Sequence, residues 1–338
     1  MRMAISRTPY RVSFFGGGTD YPAWYREHGG AVLSMAINHY CYVSGRHLPP
    51  FFGIRHRIVW SHIETVGSIS EILHPAVRTG LRTLGFNDDD GVELHHQGDL
   101  PARSGIGSSS AFAVGLINVL HAMRGNRLGS LELARDAIDL EQNQLKENVG
   151  CQDQVASAYG GLNVIRFGRD ENFKVEPLEL ADASRAGFES WLMLFYAGSS
   201  RISSDFAKKL IDNLGRNAER LFRMHGMVDE AVKLLRAEKF EDFGKLLHES
   251  WLLKRTLSEG TSNNIIDRVY DDAMRAGAVG GKLLGAGGTG FLVFVVPPEQ
   301  QSAVRRALSS LVAVPIAVDF TGSTIIYDKG DEWRIAPL

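Results

Sequence analysis

The segment 105–111, which reads Gly-Ile-Gly-Ser-Ser-Ser-Ala, has the residue types and spacing to bind an anion. Its glycines let backbone amides approach a ligand closely, and its serines add hydroxyl donors. An apolar helical pattern follows at Phe112, Leu116 and Val119. Because a helix N-terminus carries unpaired N–H groups and a partial positive charge, the segment predicts a phosphate site, most commonly one for a nucleotide. It is not a Walker A loop, since no Lys-Ser or Lys-Thr pair follows Gly107.

Two other glycine-rich segments have roles that the residues alone leave open. Segment 16–22 follows a strand-like run, so it either brings backbone close to a ligand or leads into a helix that Thr19 or Asp20 caps. Segment 285–290 has the spacing G-x-G-x-x-G, but a helical pattern precedes it and a strand-like run follows it. That order is the reverse of a dinucleotide-binding unit, so we reject a Rossmann interpretation. With Lys282 nearby, the segment either closes on a nucleotide or forms a tight turn.

Two carboxylates also need an explanation. Glu141 falls on the apolar face of a helix predicted over 131–147, and a buried carboxylate must be paired or bound to a cation. An arginine would satisfy it, and so would Mg²⁺ in a nucleotide site. Asp153 precedes a short helical run, where it either caps that helix or orients and deprotonates a substrate hydroxyl for phosphoryl transfer.

The composition excludes several classes of protein. The chain has 338 residues, a formal net charge of -2 and 44% hydrophobic residues, so it offers no basic field for nucleic acid or an anionic membrane. We expect no secretory leader, because residues 1–9 contain no long apolar segment, and the longest apolar run, 291–296, is too short to span a bilayer. Two cysteines, Cys41 and Cys151, favour a reducing cytoplasm without a structural disulfide. We therefore expect a cytoplasmic protein with no nucleic-acid or membrane partner.

The elements that must position these segments mix without strict alternation, which favours the α+β class. A polar, irregular stretch over 168–190 is the best candidate for a domain boundary. The predicted strands cover 10–15, 31–46, 54–61, 92–97, 161–167, 191–196, 291–296, 313–319 and 323–328. The predicted helices cover 109–123, 131–147, 204–225, 228–238, 240–256, 263–276 and 299–311.

Three segments resemble, in order, the first, second and third motifs of the GHMP kinase superfamily: 9–21, 101–111 and 282–291. Glu141 and Asp153 lie between the second and third motifs, and the resemblance spans nearly the whole chain. It implies a kinase that uses ATP and Mg²⁺. It also implies a two-domain α+β fold, with a domain like domain 2 of ribosomal protein S5 over 1–178 and a ferredoxin-like domain over 179–338.

The resemblance implies roles for individual residues. ATP would contact the second motif at Pro101, Ser104, Gly105, Ile106, Gly107, Ser108, Ser109 and Ser110. Mg²⁺ would be held by Ser109 and Glu141. Asp153 falls on the position of the proposed base, and Arg11 on that of the cation paired with it. The substrate would contact Gly17, Gly18, Thr19, Asp20, Gly287 and Arg201.

The first motif narrows the expected substrate. Galactokinases have Glu-His where this chain has Gly17 and Gly18, which argues against galactose. Segment 16–22 resembles instead the branch of heptose 7-phosphate kinases, which has fucokinases as neighbours. Segments 198–204 and 249–255 look like that branch too. This resemblance implies phosphorylation of an anomeric hydroxyl.

A sugar phosphate would need cationic anchors, and Arg201, Lys254 and Arg255 are available, although each is also a candidate surface charge. Two alternatives stay open: a fucokinase-like enzyme that acts on an unphosphorylated sugar, and a catalytically silent sugar-binding regulator on the same fold. In each case the expected ligands are small molecules. We also consider a homodimer as a candidate assembly.

Overall fold

The chain folds into two β-sheets with helices packed on them, and the computed structural model describes residues 2–198, 213, 215–258 and 260–330. In chain order the strands are β1 (Met3–Phe15), β2 (Gly30–His47), β3 (His56–Val59), β4 (Ile63–Val66), β5 (Val92–Gly98), β6 (Leu162–Phe167), β7 (Phe173–Pro177), β8 (Leu192–Tyr196), β9 (Gly280–Leu283), β10 (Phe291–Val295), β11 (Val312–Val314) and β12 (Thr324–Lys329). The helices are α1 (Pro22–His28), α2 (Pro75–Thr83), α3 (Ser108–Met123), α4 (Ser130–Ile138), α5 (Gln152–Tyr159), α6 (Asp182–Ser190), α7 (Ala218–Arg236), α8 (Phe240–Arg255), α9 (Asn264–Arg275) and α10 (Gln301–Ala307). A π-helical turn, Asp139–Gln144, continues α4.

The long strand β2 organises the larger sheet. It pairs with β1 along most of its length, with β5 over residues 41–47 and with β6 over residues 30–35. The strand order is β12-β1-β2-β5-β3-β4, and β6 and β7 branch from β2. Helices α3, α5, α7 and α8 all pack against β1. As a result, residues 9–15 of β1 are buried on both faces, and side chains there can reach a site only where the helices leave a gap.

The smaller sheet, with the order β11-β8-β10-β9, is antiparallel throughout and shares a core with the larger one. Phe14 and Phe15 at the end of β1 meet Phe188 of α6 and Phe243 of α8, with edge-to-face ring pairs whose centroids lie 5.1–5.7 Å apart. Such pairs add to the stabilisation from apolar burial. One apolar cluster includes residues of both sheets, so the two parts of the chain are packed against each other rather than merely linked.

The structure corrects one prediction of irregular chain and one prediction of separate helices. Residues 168–190, predicted to be polar and irregular, contain strand β7 and helix α6. Separate helices were expected over 204–225 and 228–238, but α7 passes through Gly226 without a break. A single exposed glycine costs a helix only about 1 kcal/mol relative to alanine, which packing along α7 outweighs. Most of the residues 204–217 lie outside the described part of the chain.

The end of the chain also differs from expectation. The strand predicted over 313–319 ends at Val314, because Pro315 has no N–H to offer the ladder. The last strand, β12, pairs with β1 in the larger sheet. The division between residues 178 and 179 stays a prediction. Among the described helices, none is long and apolar enough to cross a bilayer.

The glycine-rich segments 105–111 and 285–290 meet backbone to backbone, and this contact positions both. Gly105 has φ +84°, and a methyl group added there would lie 2.5 Å from the carbonyl oxygen of Leu284. In the same way, a methyl group on Gly285 would lie 2.5 Å from the Cα of Gly105. Next to this contact, the backbone N–H of Phe291 donates to the carbonyl of Ser104 at 2.9 Å. Only glycine combines that backbone conformation with so close an approach.

We expect Gly105→Ala to lower the free energy of unfolding by about 2–4 kcal/mol, because the left-handed conformation and the overlap with Leu284 both oppose a side chain. Urea unfolding followed by circular dichroism measures this. Gly226→Ala is the control, since nothing lies within 4 Å of its added methyl group. That variant should be as stable as the wild type or more stable by about 1 kcal/mol. Equal unfolding midpoints for Gly105→Ala and the wild type would contradict the prediction.

Candidate active site

A cleft of about 660 Å³ lies between the glycine-rich segments, a size typical of small-molecule sites. Four stretches of chain line it: the end of β1 with the loop that follows, residues within 103–110, residues within 146–153, and residues within 282–289. The end of α8 and the turn after it close one side. Five stretches of the chain therefore converge on one cavity.

An ion pair between Arg11 and Asp153 lies in this cleft. The guanidinium Nε and Nη2 of Arg11 donate to Oδ1 and Oδ2 of Asp153 at 2.6 and 2.7 Å, while Nη1 donates to the carbonyl of Gly105 at 2.6 Å. The Arg11 side chain is 4% exposed and that of Asp153 is 22% exposed. Burial of a guanidinium is tolerated when its donors are satisfied in this planar, bidentate way. The pair holds the Asp153 carboxylate rigidly at the cleft surface.

The bond to Arg11 bears on one of the two interpretations of Asp153, that of a helix cap. Helix α5 has Cys151 as its N-cap residue, without a side-chain cap bond, and Asp153 lies inside the first turn. Its carboxylate therefore does not cap the helix but faces Arg11. Gly107 is close by, since a methyl group added there would lie 3.2 Å from Oδ2 of Asp153.

The second motif forms the N-terminus of α3, as predicted. Gly107, with φ +72°, is the N-cap, and Ser108 begins the helix. Gly105, Gly107 and Ser108 to Ser110 line the cleft, and N–H groups at the start of a helix are available to phosphate oxygens. The exposed residue Arg103 also lines the cleft, and its N–H donates to Oγ of Ser108 at 3.0 Å.

Three residues predicted to contact ATP shape the loop instead and do not line the cleft. Ser104 is fully buried, and its hydroxyl donates to the carbonyl of Pro101 at 2.6 Å. Ile106 belongs to the apolar core, and its carbonyl accepts the N–H of Arg11 at 3.2 Å. These hydrogen bonds satisfy polar groups of the loop that face away from the cleft.

Glu141 lies on the π-helical turn Asp139–Gln144 and is 2% exposed. Its Oε1 accepts the hydroxyl of Ser109 at 2.8 Å, and its Oε2 accepts Nε2 of Gln154 at 2.5 Å. Burial raises the pKa of Glu141 to about 7, against the lowering effect of hydrogen bonds from Ser110, Ser109 and Gln154. No arginine pairs with it among the described ion pairs. A π-helical turn often marks a functional site, and here it directs the Glu141 side chain towards Ser109 of the second motif, the candidate phosphate loop.

The groups around Glu141 fit Mg²⁺. They supply a hydroxyl and a carboxylate oxygen, which are the hard ligands that Mg²⁺ prefers, and phosphates and water would complete the octahedron. Oε1 of Gln154, on the amide that bonds to Glu141, is buried without a hydrogen-bond partner. Within the described residues, no group of three or more His, Cys, Asp or Glu side chains could hold a metal. The fit is therefore to a cation held mainly by a bound nucleotide.

The first motif divides between the cleft and the core. Gly17, Gly18 and Asp20 line the cleft, and Oδ1 of Asp20 accepts the N–H of Gly18 at 3.0 Å. Thr19 does not line it, because its buried hydroxyl donates to backbone carbonyls, at 2.7 Å to Gly16, and accepts a backbone N–H. Neither Thr19 nor Asp20 caps α1, whose N-cap residue has no side-chain cap bond. Burial and the charge of Asp153 raise the pKa of Asp20.

Two lysines lie on the side of the cleft formed by the third motif. Nζ of Lys282 donates to the carbonyl of Phe14 at 2.9 Å, and burial and the charge of Lys254 lower its pKa. Nζ of Lys254 donates to the carbonyls of Leu283 and Gly285 at 2.9 and 2.6 Å. Burial, followed by the charge of Arg11, lowers the pKa of Lys254 to about 7.

The other predicted substrate contacts have different outcomes. Gly287 lines the cleft with φ +129°, and a methyl group there would lie 2.7 Å from the Cα of Thr261. Arg255 does not line the cleft and pairs instead with Asp267 at 3.0 Å. Arg201 lies outside the described residues.

Sequence reasoning missed Ser13 and Gln152, which also line the cleft. A signal was present for both. Ser13 is two residues from Arg11 on a strand, which places both side chains on one face, and Gln152 directly precedes Asp153. The 146–150 loop, which lines the cleft too, has no comparable signal.

The comparisons with known proteins agree with this architecture. The model of the GHMP kinase N-terminal domain matches residues 71–161, and that of the GHMP kinase C-terminal domain matches residues 231–314, together just over half of the chain. The chain belongs to the GHMP kinase family. A D-glycero-alpha-D-manno-heptose 7-phosphate kinase of Campylobacter jejuni is 28% identical over 318 residues, which cover 91% of this chain and 94% of that one.

Other relatives are more distant or longer. A bifunctional fucokinase/GDP-fucose pyrophosphorylase of Arabidopsis thaliana is 26% identical over 89% of this chain, but the match covers only 30% of that protein. Among solved structures, a D-glycero-D-manno-heptose 1-phosphate kinase from Bacteroides thetaiotaomicron has a TM-score of 0.78 at 23% identity, with full coverage of both chains. A Lactococcus lactis galactokinase has a TM-score of 0.74 at 19% identity over 95% of each chain. At these identities the structures establish the fold.

Because its folded-state pKa of about 7 lies above the ordinary value of 4.5, Glu141 should destabilise the metal-free protein as pH rises. The folded protein holds the proton more tightly, so its stability falls between about pH 4.5 and pH 7 and then levels off, by about 2–3 kcal/mol in total. In urea unfolding measured with EDTA, the free energy of unfolding of Glu141→Gln should not show this fall. The exposed residue Glu132 provides the control variant, Glu132→Gln. A constant stability difference between wild type and Glu141→Gln across this range would refute the prediction.

Proposed function

We propose that this chain is an ATP-dependent sugar kinase that phosphorylates the anomeric oxygen O1 of D-glycero-α-D-manno-heptose 7-phosphate. The product, the 1,7-bisphosphate, would serve the synthesis of nucleotide-activated heptose for a capsule or lipopolysaccharide. The observation that carries the proposal is the Asp153 carboxylate, fixed by buried Arg11 beside a helix N-terminus with phosphate-binding character. The choice of heptose rests on the Campylobacter relative and on Gly17 and Gly18 in the first motif.

In the proposed reaction, Asp153 receives the proton of the sugar O1 hydroxyl while that oxygen forms a bond to the γ-phosphorus of ATP. The bond between the γ-phosphorus and the bridging oxygen breaks, and ADP leaves. The contribution of the protein is mainly positioning and charge stabilisation, as in other phosphoryl transfers. Arg11 keeps the carboxylate in one orientation, and the amides of Gly105 and Gly107 and the serines of α3 hold the phosphates.

Ser109 and Glu141 would hold Mg²⁺ in this scheme. A bound Mg²⁺ supplies neutralisation of the phosphate charge that develops during transfer. The hydrogen bond between the two side chains keeps both oxygen donors on the same side of the phosphate loop.

Asp20 and Lys254 would recognise the acceptor. A carboxylate that lines the cleft and accepts only two or three N–H groups can also accept a sugar hydroxyl. The ammonium of Lys254 has three N–H donors, and two of them bond to backbone carbonyls. We assign the third to the distal phosphate of the sugar. Of the two anchors considered from the sequence that lie in the described part of the chain, Lys254 lines the cleft and Arg255 does not, which supports this assignment.

A panel of acceptors tests this function. ADP release is measured with ATP, Mg²⁺ and each of heptose 7-phosphate, unphosphorylated heptose, L-fucose, galactose and mevalonate. The proposal requires kcat/KM to be highest for heptose 7-phosphate. The fucokinase-like alternative, supported by the 26% identity over 89% of the chain, requires the highest value for fucose. If none of these acceptors supports ADP release, the result would favour the silent regulator and contradict the proposal.

Asp153→Asn should lower kcat by roughly 10²–10⁴-fold, because the amide cannot accept the proton. Nucleotide affinity, measured by calorimetry, should change less than about twofold. Asp229 is a matched control, since it pairs with Arg166 at 2.7 Å on the exposed surface, and Asp229→Asn should retain wild-type turnover. Near wild-type turnover by Asp153→Asn would remove Asp153 from the mechanism.

Lys254→Met should raise KM for heptose 7-phosphate by roughly 10- to 100-fold, the usual cost of a hydrogen bond to a charged group. KM for unphosphorylated heptose should stay nearly constant. Because the pKa of Lys254 is lowered to about 7, the wild-type KM for the sugar phosphate should rise above pH 7 as the ammonium loses its proton, and this rise should be absent from the variant. Arg255→Met, at the neighbouring position outside the cleft, is the control. An equal rise in KM for both acceptors would show that Lys254 does not bind the distal phosphate.

A further inference from the structure

The side chain of Gln152 connects two groups of the first β-strand and its loop. Its Oε1 accepts the hydroxyl of Ser13 at 2.6 Å, and its Nε2 donates to Oδ2 of Asp20 at 3.0 Å. The backbone N–H of Gln152 also points to Oδ2 of Asp20, at 3.4 Å. All three side chains line the cleft.

The chemistry of the three groups fixes the orientation of the amide. An ionised carboxylate only accepts hydrogen bonds, so the NH₂ end of Gln152 must face Asp20. The carbonyl end then faces Ser13, whose hydroxyl donates to it. If the amide turned over, two acceptor oxygens would be brought together. The carboxylate of Asp20 therefore selects the orientation of the amide, and the hydroxyl of Ser13 anchors the carbonyl end by donating to it.

Asp20 needs this bond because its surroundings oppose its charge. Burial and the charge of Asp153 both raise the pKa of Asp20, whereas hydrogen bonds from the Gly18 amide and from Gln152 lower it. The other titratable groups that interact with Asp20 are Lys282, Tyr21 and Cys151. A methyl group on Gly150 would lie 1.8 Å from Oδ2 of Asp20, so the carboxylate fits closely against that backbone and has little room to rotate.

We propose that Gln152 is a positioning residue for acceptor recognition: supported by Ser13, it holds the Asp20 carboxylate ionised and oriented so that a free lone pair accepts an acceptor hydroxyl. Gln152 directly precedes Asp153 in the first turn of α5, so one helix end sets both the carboxylate that recognises the sugar and the one that receives its proton. This inference rests on the proposed function insofar as the acceptor is a sugar.

Two substitutions of Gln152 test the inference through the split between KM and kcat. Gln152→Ala removes the donor, and Gln152→Glu places a second carboxylate against Asp20. Both should raise KM for the acceptor by roughly 10- to 100-fold and leave KM for ATP within about twofold of the wild-type value. With Gln152→Glu, lowering the pH should partly restore acceptor KM, because one proton shared by the two carboxyl groups recreates a donor. Gln152→Ala should show no such recovery.

The role of Ser13 is tested by a double-mutant cycle. Ser13→Ala should raise acceptor KM in the same direction but by less. Ser13→Ala combined with Gln152→Ala should be no worse than Gln152→Ala alone, because the hydroxyl acts only through the amide. Additive losses in the double variant would overturn the part assigned to Ser13.

The chain offers a matched control for these variants outside the cleft. Gln144 has the same arrangement, since its Oε1 accepts the hydroxyl of Thr83 at 2.6 Å and its Nε2 donates to Asp139 at 2.5 Å. Gln144→Ala and Gln144→Glu should leave acceptor KM unchanged. Acceptor KM within about twofold of wild type in both Gln152 variants, or an equal rise in KM for ATP, would overturn the inference.

A measurement without any acceptor separates this inference from the proposed function. If the wild type phosphorylates no sugar, the proposed function fails, but the titration of Asp20 can still be followed by NMR of ¹³C-labelled aspartate carboxyl groups. Loss of the amide donor in Gln152→Ala should raise the pKa of Asp20 further, because the hydrogen bond from Gln152 lowers it. Because this signal reports the folded protein directly, it also distinguishes a specific effect from misfolding. An unchanged Asp20 titration would overturn the inference.

Discussion

The ion pair between Arg11 and Asp153 is the interaction on which the site depends. Arg11 comes from the half of β1 that is buried on both faces, so its charge has no access to bulk water. Removing one partner of a buried pair typically costs about 3–5 kcal/mol, because the other charge remains without compensation. The same guanidinium also binds the carbonyl of Gly105. One side chain thereby fixes the carboxylate and the phosphate loop relative to each other.

Close backbone contacts extend this arrangement to the second sheet. Gly105 and Gly285 touch without side chains between them, and Lys282 donates to the carbonyl of Phe14 across the interface. Since the aromatic cluster around Phe14 packs both sheets into one core, the third motif cannot move far from the first two. The cleft is therefore built largely in advance, which reduces the entropic cost of orienting two substrates.

Much of the site could be predicted from the sequence, and the exceptions have physical reasons. The glycine and serine spacing of the motifs and Asp153 located the cleft because these residues are unusual in their local contexts, and Glu141 is a buried carboxylate that contacts the cleft through Ser109. Five predicted positions do not line the cleft. Pro101, Ser104, Ile106 and Thr19 satisfy loop backbone or fill the core, and Glu141 is buried against Ser109 and Gln154. The hydrogen bonds of Gln152 and Lys254 join residues that are separated in the sequence by 29 to 139 positions. No local sequence pattern predicts such partners. The same limit applies to strand β12, which returns to the first sheet from the far end of the chain.

The central claim is that Arg11 and Asp153 act as a unit in phosphoryl transfer. Single-turnover rates of ADP formation with ATP and heptose 7-phosphate should be measured for Arg11→Met, Asp153→Asn and the double variant, each checked for folding by circular dichroism. If the guanidinium acts by holding the carboxylate, the double variant will be no slower than the slower single variant, as is found for catalytic residues that function together. If the two losses multiply in the double variant, the residues contribute independently and the claim is contradicted.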